Sequence, residues 1–469
     1  MKQDQNRPAA SPRRLAAETL SGMARGRYGN LSIDAVLRRS PPEGADRGLY
    51  TALVFGVTER QTTLDFLIEQ FSSRPLTELE EPVLLALRLG LYQLIWMDRV
   101  PDHAAVAETV SLVPRRVSGF VNAVLRSYLR FEGSFPEGRE NTLTTPEQWQ
   151  ARFPRLADDH RRAVSVTYGM PLPMCDLLTS ALGEKSAEGV MAGFCRRPPL
   201  TLRVNPLSTS TDALAAALAA AGVSSRPGHY GGDTLLIEAA GGSPTALPGF
   251  EEGHFFVQDE ASGLCVRALD ARPGDMVVDV CTCPGSKAFG AALSMQDRGR
   301  VYAFDLHESK LSLVRSGAER LGLTCLTAAG RDARDPDPTL AGQADRVLCD
   351  VPCSGLGVMA KKPEIRHKDM AESARLPRIQ RDILAASASY VKPGGLLVYS
   401  TCTLLPAENR EVLSAFLESH PDFEPCDFAF SSHDPAYPDI RSEGGCVTLY
   451  PDIHGTDGFF IARMRKKET

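Results

Sequence analysis

RVLCDVPCSGLG (346–357) and GGLLVYSTCTLLPAENREV (394–412) decide how this chain reads. Each holds a short apolar run of strand length that ends in a polar turn carrying a cysteine, Cys353 in the first and Cys402 in the second. Apolar runs bounded by turn residues suit parallel strands buried on both faces. Doubly wound α/β sheets place their chemistry just outside the carboxyl ends of such strands. Neighbouring strands lie about 4.8 Å apart, so if these two pair, both thiols face one pocket. A structural role accounts for one such cysteine. Two at matched strand ends need a reaction.

Around these stretches, residues 263–469 alternate strand and helix. Strands are predicted at MVVDV (276–280), RVYAFD (300–305), CLTAA (325–329), DRVLCD (345–350) and GLLVYS (395–400). Helices are predicted at 286–296, 308–321 and 372–391, and LYPDIHGTDGFFIARM (449–464) reads as a terminal hairpin. Repeated β-α units imply a mostly parallel sheet with helices on both faces. Residues 161–262 mix helical stretches with short strands such as PLTLRVNPL (199–207) and read as a small α+β module. Residues 131–160, polar with scattered proline and glycine, read as a linker. Residues 1–130 form an all-α domain: from residue 11, apolar residues recur at three and four spacing, as in PVLLALRLGLYQLIWM and VSGFVNAVLRSYLR, with Pro82 suited to a first helical turn. The expected fold class is therefore multidomain, with an all-α N-terminal domain, an α+β module and a C-terminal Rossmann-like α/β domain.

Composition bounds the function classes. A hydrophobic fraction of 43% and a charged fraction of 23% fit a soluble globular protein. No apolar run approaches the roughly 18 residues of a membrane span, and MKQDQNRPAASPRR lacks the apolar core of a signal peptide. Eleven cysteines in 469 residues are too sparse for a disulfide scaffold, so reduced thiols and a cytoplasmic location are expected. The net charge is −6, yet residues 1–130 carry 17 Lys and Arg against 14 Asp and Glu, nearly all the bases being arginine. Arginine suits phosphate through its planar fork.

The first strand of the α/β domain ends in DVCTCPGSKAFG (279–290). Strand, tight loop with Pro284 and Gly285, then helix makes a nucleotide-binding turn. Neither GxGxxG nor GxxxxGK[ST] is present, which disfavours a dinucleotide or a phosphate-cradling loop. Asp305 ends the second strand, placed for ribose hydroxyls, and Asp332 past the third faces the adenine end. Carboxylates without a phosphate cradle suit an adenosine ligand lacking phosphates, and S-adenosyl-L-methionine is the expected cofactor. Cys281 and Cys283 form a C-x-C pair with no zinc-spaced partners, so no metal is expected.

Methylation at carbon 5 of a pyrimidine needs such thiols. Thiolate addition at carbon 6 makes carbon 5 nucleophilic, an acid near N3 steadies the ring, and a base removes the carbon-5 proton before the thiol leaves. Asp350, three residues before Cys353, is placed to bind N3 in its neutral form. Chemistry alone does not say which cysteine attacks.

DVPCSGLG and YSTCTLLPAENREV, the latter including Glu408-Asn409, resemble the two cysteine motifs of RNA cytosine-C5 methyltransferases. The cofactor loop is similar to that family's Cys-Ala-Ala-Pro-Gly-Gly-Lys-Thr, and RVN (203–205) and FVQDEAS (256–262) resemble its upstream signatures. The resemblance implies that Cys402 is the nucleophile and that Cys353 assists release. It implies that Cys281, Thr282, Cys283, Pro284, Gly285, Ser286, Lys287, Asp305, Asp332 and Asp350 contact S-adenosyl-L-methionine or the target base. The N-terminal helices resemble a NusB-type RNA-binding domain, and the domain order resembles that of bacterial 16S rRNA cytosine-C5 methyltransferases. The implied substrate is 16S rRNA, naked or in a partly assembled small subunit, with the protein acting as a monomer. Ser286 stands where the family has glycine, Ala288 where it has threonine, and Thr282-Cys283 where it has Ala-Ala. A side chain at 286 crowds the cofactor unless its backbone avoids positive φ.

Expected RNA contacts are Arg203, Asn205 and the preceding Arg196-Arg197 in the central module, with Lys361-Lys362, Arg366 and Lys368 beyond Cys353. The target base must leave its stack to reach the thiols. Three alternatives stay open: tRNA or another RNA as substrate, a NusB-like binding protein with an inactive catalytic domain, and DNA methylation, which leaves the Ser-Thr-Cys motif unexplained.

Overall fold

A computed structural model of the chain describes residues 11–25, 33, 36, 42, 44–132, 139–238 and 243–468. They divide into two compact units: Met1–Ala192 with Lys362–Lys368, and Gly193–Lys361 with Asp369–Thr469.

The first unit is helical. Its helices include Pro12–Ala24, Gly44–Glu59, Gln61–Phe71, Glu81–Trp96, Asp102–Val110 and Arg115–Glu132. Glu81–Trp96 is the central helix, burying Val83, Leu87, Leu91 and Leu94. Pro82 opens it within the first turn, where a missing N–H costs nothing. Two features depart from the sequence expectation. The stretch read as a linker holds helix Pro146–Arg152, started by a capping box between Thr145 and Gln148. Trp149 and Phe153 there are buried in the helical core, their rings stacked at 5.4 Å. Residues 133–138 of that stretch lie outside the described residues. Helices His160–Tyr168 and Leu172–Leu182, expected in the α+β module, also belong to this unit.

The second unit holds two sheets. In the smaller, β1 (Leu200–Val204), β2 (Ser225–Pro227), β3 (Thr234–Ile237) and β4 (Phe255–Val257) run in the order β2-β3-β1-β4, every pair antiparallel. Helix Thr211–Ala220 packs Leu214 and Leu218 against the apolar face of this sheet.

The larger sheet contains β5 (Met276–Asp279), β6 (Arg300–Asp305), β7 (Leu326–Gly330), β8 (Ala344–Asp350) and β9 (Val391–Thr401), with β10 (Phe423–Pro425), β13 (Cys446–Leu449) and β14 (Phe459–Lys466) at the far edge. β11 (Ala429–Phe430) and β12 (Ile440–Arg441) form a separate two-stranded ribbon. The order is β10-β14-β9-β8-β5-β6-β7, with β13 on β14. Strands β5 to β9 are mutually parallel along the path, and β14 is antiparallel to β9. The five predicted strands all form, and β13 with β14 make the terminal hairpin around a short helix, Pro451–His454. Chain order reverses beside β5, between β8 and β6. That switch point opens a crevice at the carboxyl ends of the strands, where ligands of such folds bind.

Candidate active site

β8 and β9 pair in parallel with Asp350 opposite Ser400. This register brings the two cysteine turns together. Cys353 Sγ and Cys402 Sγ lie 3.3 Å apart, both as free thiols and both half-buried. The hydrogen bond to Cys402, followed by burial, holds the Cys353 thiol well above its ordinary range.

Beside them, Lys287 Nζ lies 2.6 Å from Asp350 Oδ2, and Ser400 Oγ donates to Asp350 Oδ1 at 2.7 Å. Desolvation opposes the Lys287 charge, but the Asp350 carboxylate outweighs it and the lysine is held above its ordinary value. Burial alone was expected to make Asp350 a neutral carboxyl. The structure instead gives it a cationic partner 63 residues earlier in the chain.

The Cys353 turn is fixed from behind. Glu408, buried at 2% exposure, accepts from Ser354 N at 2.9 Å and from Gln380 Nε2 at 2.8 Å. Gln380 Nε2 also donates to Pro352 O, and Ser354 Oγ meets Thr403 Oγ1 at 2.7 Å. Asn409 Nδ2 donates to Thr403 O at 3.0 Å, while Thr401 Oγ1 donates to Asn409 Oδ1 at 2.6 Å. Glu408 and Asn409 thus hold the two turns in mutual register. Gly357 N donates to Cys402 O, and Gly458 N donates to Gly357 O, each at 2.9 Å.

The loop after β5 has the shape of a cofactor turn. Thr282 N donates to Phe304 O, Cys283 N donates to Asp305 Oδ2, and the Cys283-Pro284 bond is cis. Gly285 has φ 109°, and a Cβ there would lie 2.7 Å from the Phe289 ring, so only glycine fits. Ser286 begins helix Ser286–Ser294 outside the positive-φ region, so the crowding condition set by its side chain is met by its backbone. Burial is the leading cause that raises both loop thiols, Cys281 well above its ordinary value and Cys283 to about 12. Both are protonated and unreactive near neutral pH. Burial, then the Asp350 charge, pushes the Asp279 carboxyl up to about 7. Asp279 Oδ2 and Thr282 Oγ1 are both buried without a protein partner, polar atoms left over at the floor of this turn.

Asp305, at the tip of β6, accepts from Cys283 N and His307 N and keeps lone pairs for further donors. Leu306 beside it is 61% exposed, an apolar surface next to a polar carboxylate. Asp332, past β7, is paired with Arg334 at 2.6 Å, which lowers its pKa by hydrogen bonding. These carboxylate acceptors fit the hydroxyls of a ribose and the amino group of an adenine base.

The expected RNA contacts divide. Arg203 is buried and paired with Asp233 at 2.6 Å. Asn205 is fully buried and donates to Gly253 O and Leu321 O, tying β1 to the end of helix Leu311–Leu321. Arg366, 1% exposed, donates to Tyr168 O inside the helical unit. These three side chains are consumed by the fold, which corrects their assignment to RNA. Lys361 pairs with Asp259 and with Asp457 at 2.8 Å. Lys368 is half-buried in the segment that packs with the helical unit, while Arg196, Arg197 and Lys362 are exposed. Sequence reading missed Ser400 and Gln380 as supports. Their signal is strand register and helix placement, which only tertiary structure supplies.

Comparison with known proteins agrees with this arrangement. The family model for 16S rRNA methyltransferase RsmB/F matches residues 266–465, that of the NusB family matches 10–130, and that of the RsmF/B-like ferredoxin-like domain matches 170–242. The probable ribosomal RNA small subunit methyltransferase B of Bacillus subtilis is 36% identical, covering 97% of this chain and 99% of its own. Ribosomal RNA small subunit methyltransferase B of Klebsiella pneumoniae is 34% identical over 90% of each chain. The solved structure of PH0851 superposes with a TM-score of 0.74 at 23% identity, covering 99% of this chain and all of that one. A methyltransferase homolog from Pyrococcus horikoshii gives 0.57 at 29% identity, over 66% of this chain and 99% of its own. With relatives above 30% identity spanning nearly its whole length, the chain belongs to the ribosomal RNA small subunit methyltransferase B family of RNA methyltransferases.

Proposed function

We propose that the protein transfers a methyl group from S-adenosyl-L-methionine to carbon 5 of a cytosine in 16S rRNA through a covalent cysteine adduct. One observation carries this reading: two free thiols 3.3 Å apart at the ends of neighbouring parallel strands, beside the Lys287–Asp350 pair.

In this reading the cofactor supplies an electrophilic methyl group. The loop Cys281–Lys287 holds its methionine end, Asp305 its ribose hydroxyls and Asp332 its adenine end. Cys402 Sγ adds to carbon 6 of the base. Asp350, steadied by Ser400 and Lys287, faces N3, and the proton shared across the Lys287–Asp350 pair passes to N3 as thiolate addition puts negative charge on the ring. Carbon 5 takes the methyl group and then gives its proton to a general base, and the electron pair of that carbon–hydrogen bond restores the ring double bond as the sulfur–carbon bond breaks. Cys353 suits release because it keeps its proton next to Cys402 and can deliver it to the departing sulfur. The relatives' names support ribosomal RNA as substrate, and the NusB-like helices support a second grip on RNA. We place the enzyme in the cytoplasm, acting as a monomer on rRNA before or during small-subunit assembly. Among the described residues no helix is long and apolar enough to cross a membrane.

Bisulfite mapping of 16S rRNA from cells with and without the gene tests the substrate. One cytosine should lose its protection in the deletion strain. An unchanged pattern refutes 16S rRNA as the target.

A further inference from the structure

The second unit contains a cleft of about 180 Å³ between the entry to β1 and the turns that support the two cysteines. One wall carries Arg196 and Arg197, the other Gly357 and the Gly455–Asp457 turn, and Tyr437 also lines it. Gly357 is bonded directly to the Cys402 carbonyl, so this wall is continuous with the catalytic pair.

The charge balance of the cleft is positive where it is open. Its acids are already answered: Asp259 and Asp457 share Lys361, and Glu260 accepts from Tyr230 N while burial raises its pKa. Arg226 lies 3.7 Å from Glu238 and 4.0 Å from Asp434. Arg196 and Arg197 are exposed, and no carboxylate among the described residues pairs with them. Tyr437 is held in place rather than free. Its ring packs on His229 at 4.2 Å, and His229 in turn is fixed by Asp434 at 2.9 Å. The ring also covers Gly455, where a Cβ would lie 2.5 Å from it. A fixed, half-buried aromatic ring beside two unpaired guanidinium groups is the composition of a single-strand nucleic-acid subsite, stacking one base and neutralising its phosphates.

We infer that this cleft binds the nucleotide adjoining the target cytosine, its base on Tyr437 and its flanking phosphates on Arg196 and Arg197. The inference rests on the cytosine-C5 reading of the thiols. It adds a device that holds the RNA strand while the target base is out of its stack.

The test uses the full-length protein and a 16S rRNA transcript, with binding measured across a salt series. Arg196→Ala/Arg197→Ala should weaken binding and reduce the log–log salt slope by about 1.4, the value for two phosphates on single-stranded RNA. The loss should fall on KM for RNA rather than on kcat. Tyr437→Ala should weaken binding by about tenfold with an unchanged salt slope, and Tyr437→Phe should restore it. Cys353→Ala, with the cleft intact, reports separately whether an RNA adduct forms. An adduct together with unchanged affinity and slope in the arginine and tyrosine variants overturns the subsite alone. Absence of an adduct from both Cys353→Ala and Cys402→Ala overturns the cytosine reading and the subsite with it.

Discussion

Gly357 sets how closely the Cys353 turn approaches the backbone just before β14, and alanine at this position perturbs that distance. An ideal Cβ at 357 would lie 1.8 Å from the Gly458 carbonyl oxygen and 2.5 Å from its carbon. Real Cβ contacts stop near 3.0 Å, so the segments must part by about 1.2 Å. The obstructing atoms are backbone, so no rotamer change relieves them. Gly357 is outside the left-handed region, so the argument concerns space and not φ. The displacement acts on the hydrogen bonds from Gly357 N to Cys402 O and from Gly458 N to Gly357 O, and through them on the 3.3 Å thiol spacing. A misplacement of about 1 Å costs roughly 10²-fold in rate, and overpacking costs about 1–3 kcal/mol of stability. The cofactor loop is held by β5 and β6, so cofactor affinity should stay at its wild-type value. Single-turnover methyl transfer, alongside calorimetric cofactor binding and a melting curve, measures all three. A folded Gly357→Ala protein with the wild-type single-turnover rate would refute the claim that this contact sets the thiol geometry.

Glu408→Gln removes the charged acceptor shared by Ser354 N and Gln380 Nε2. It should lower stability by about 1.5–3 kcal/mol and slow methyl transfer, and an unchanged rate by the same single-turnover assay counts against a positioning role. Trp149→Ala should cost about 3–5 kcal/mol in denaturant unfolding, because the ring is 1% exposed in the helical core; a loss near zero would restore the linker reading. Asp279 holds its proton to about pH 7 in the folded chain and only to about pH 4 when unfolded. Its contribution is therefore full below about pH 4 and is lost as pH rises through about 7, by about 4 kcal/mol. The stability of Asp279→Asn relative to wild type should consequently rise between about pH 5 and pH 8, and a constant difference across that range would contradict a raised Asp279 pKa.

Much of the architecture was legible because the pattern was local. Alternating apolar runs and amphipathic stretches located β5 to β9, the intervening helices and the N-terminal helical domain. The stretch 131–160 was misread although Thr145-Pro146-Glu147-Gln148 carries a capping-box signature. Its polar surroundings hid a short helix whose core contribution rests on the buried Trp149, with Phe153 just beyond it. Arg203 and Asn205 illustrate a different limit. A polar residue in a strand reads the same whether it meets solvent or a buried partner, and Asp233, Gly253 and Leu321 are distant in sequence. Arg366 fails for the same reason, its partner Tyr168 lying 198 residues away. The thiol pair was legible as a pair because both cysteines follow recognisable strands. The Lys287–Asp350–Ser400 cluster beside it depends on the register of three strands, and no single motif encodes that.

The central claim is the unequal division of labour between the two thiols. Cys353→Ala and Cys402→Ala, each incubated with labelled 16S rRNA transcript and S-adenosyl-L-methionine, are compared on a denaturing gel. Cys353→Ala should retain attack and lose release, giving a shifted protein–RNA band, and Cys402→Ala should give none. A shifted band from Cys402→Ala, with none from Cys353→Ala, would contradict the account and exchange the roles of the two cysteines.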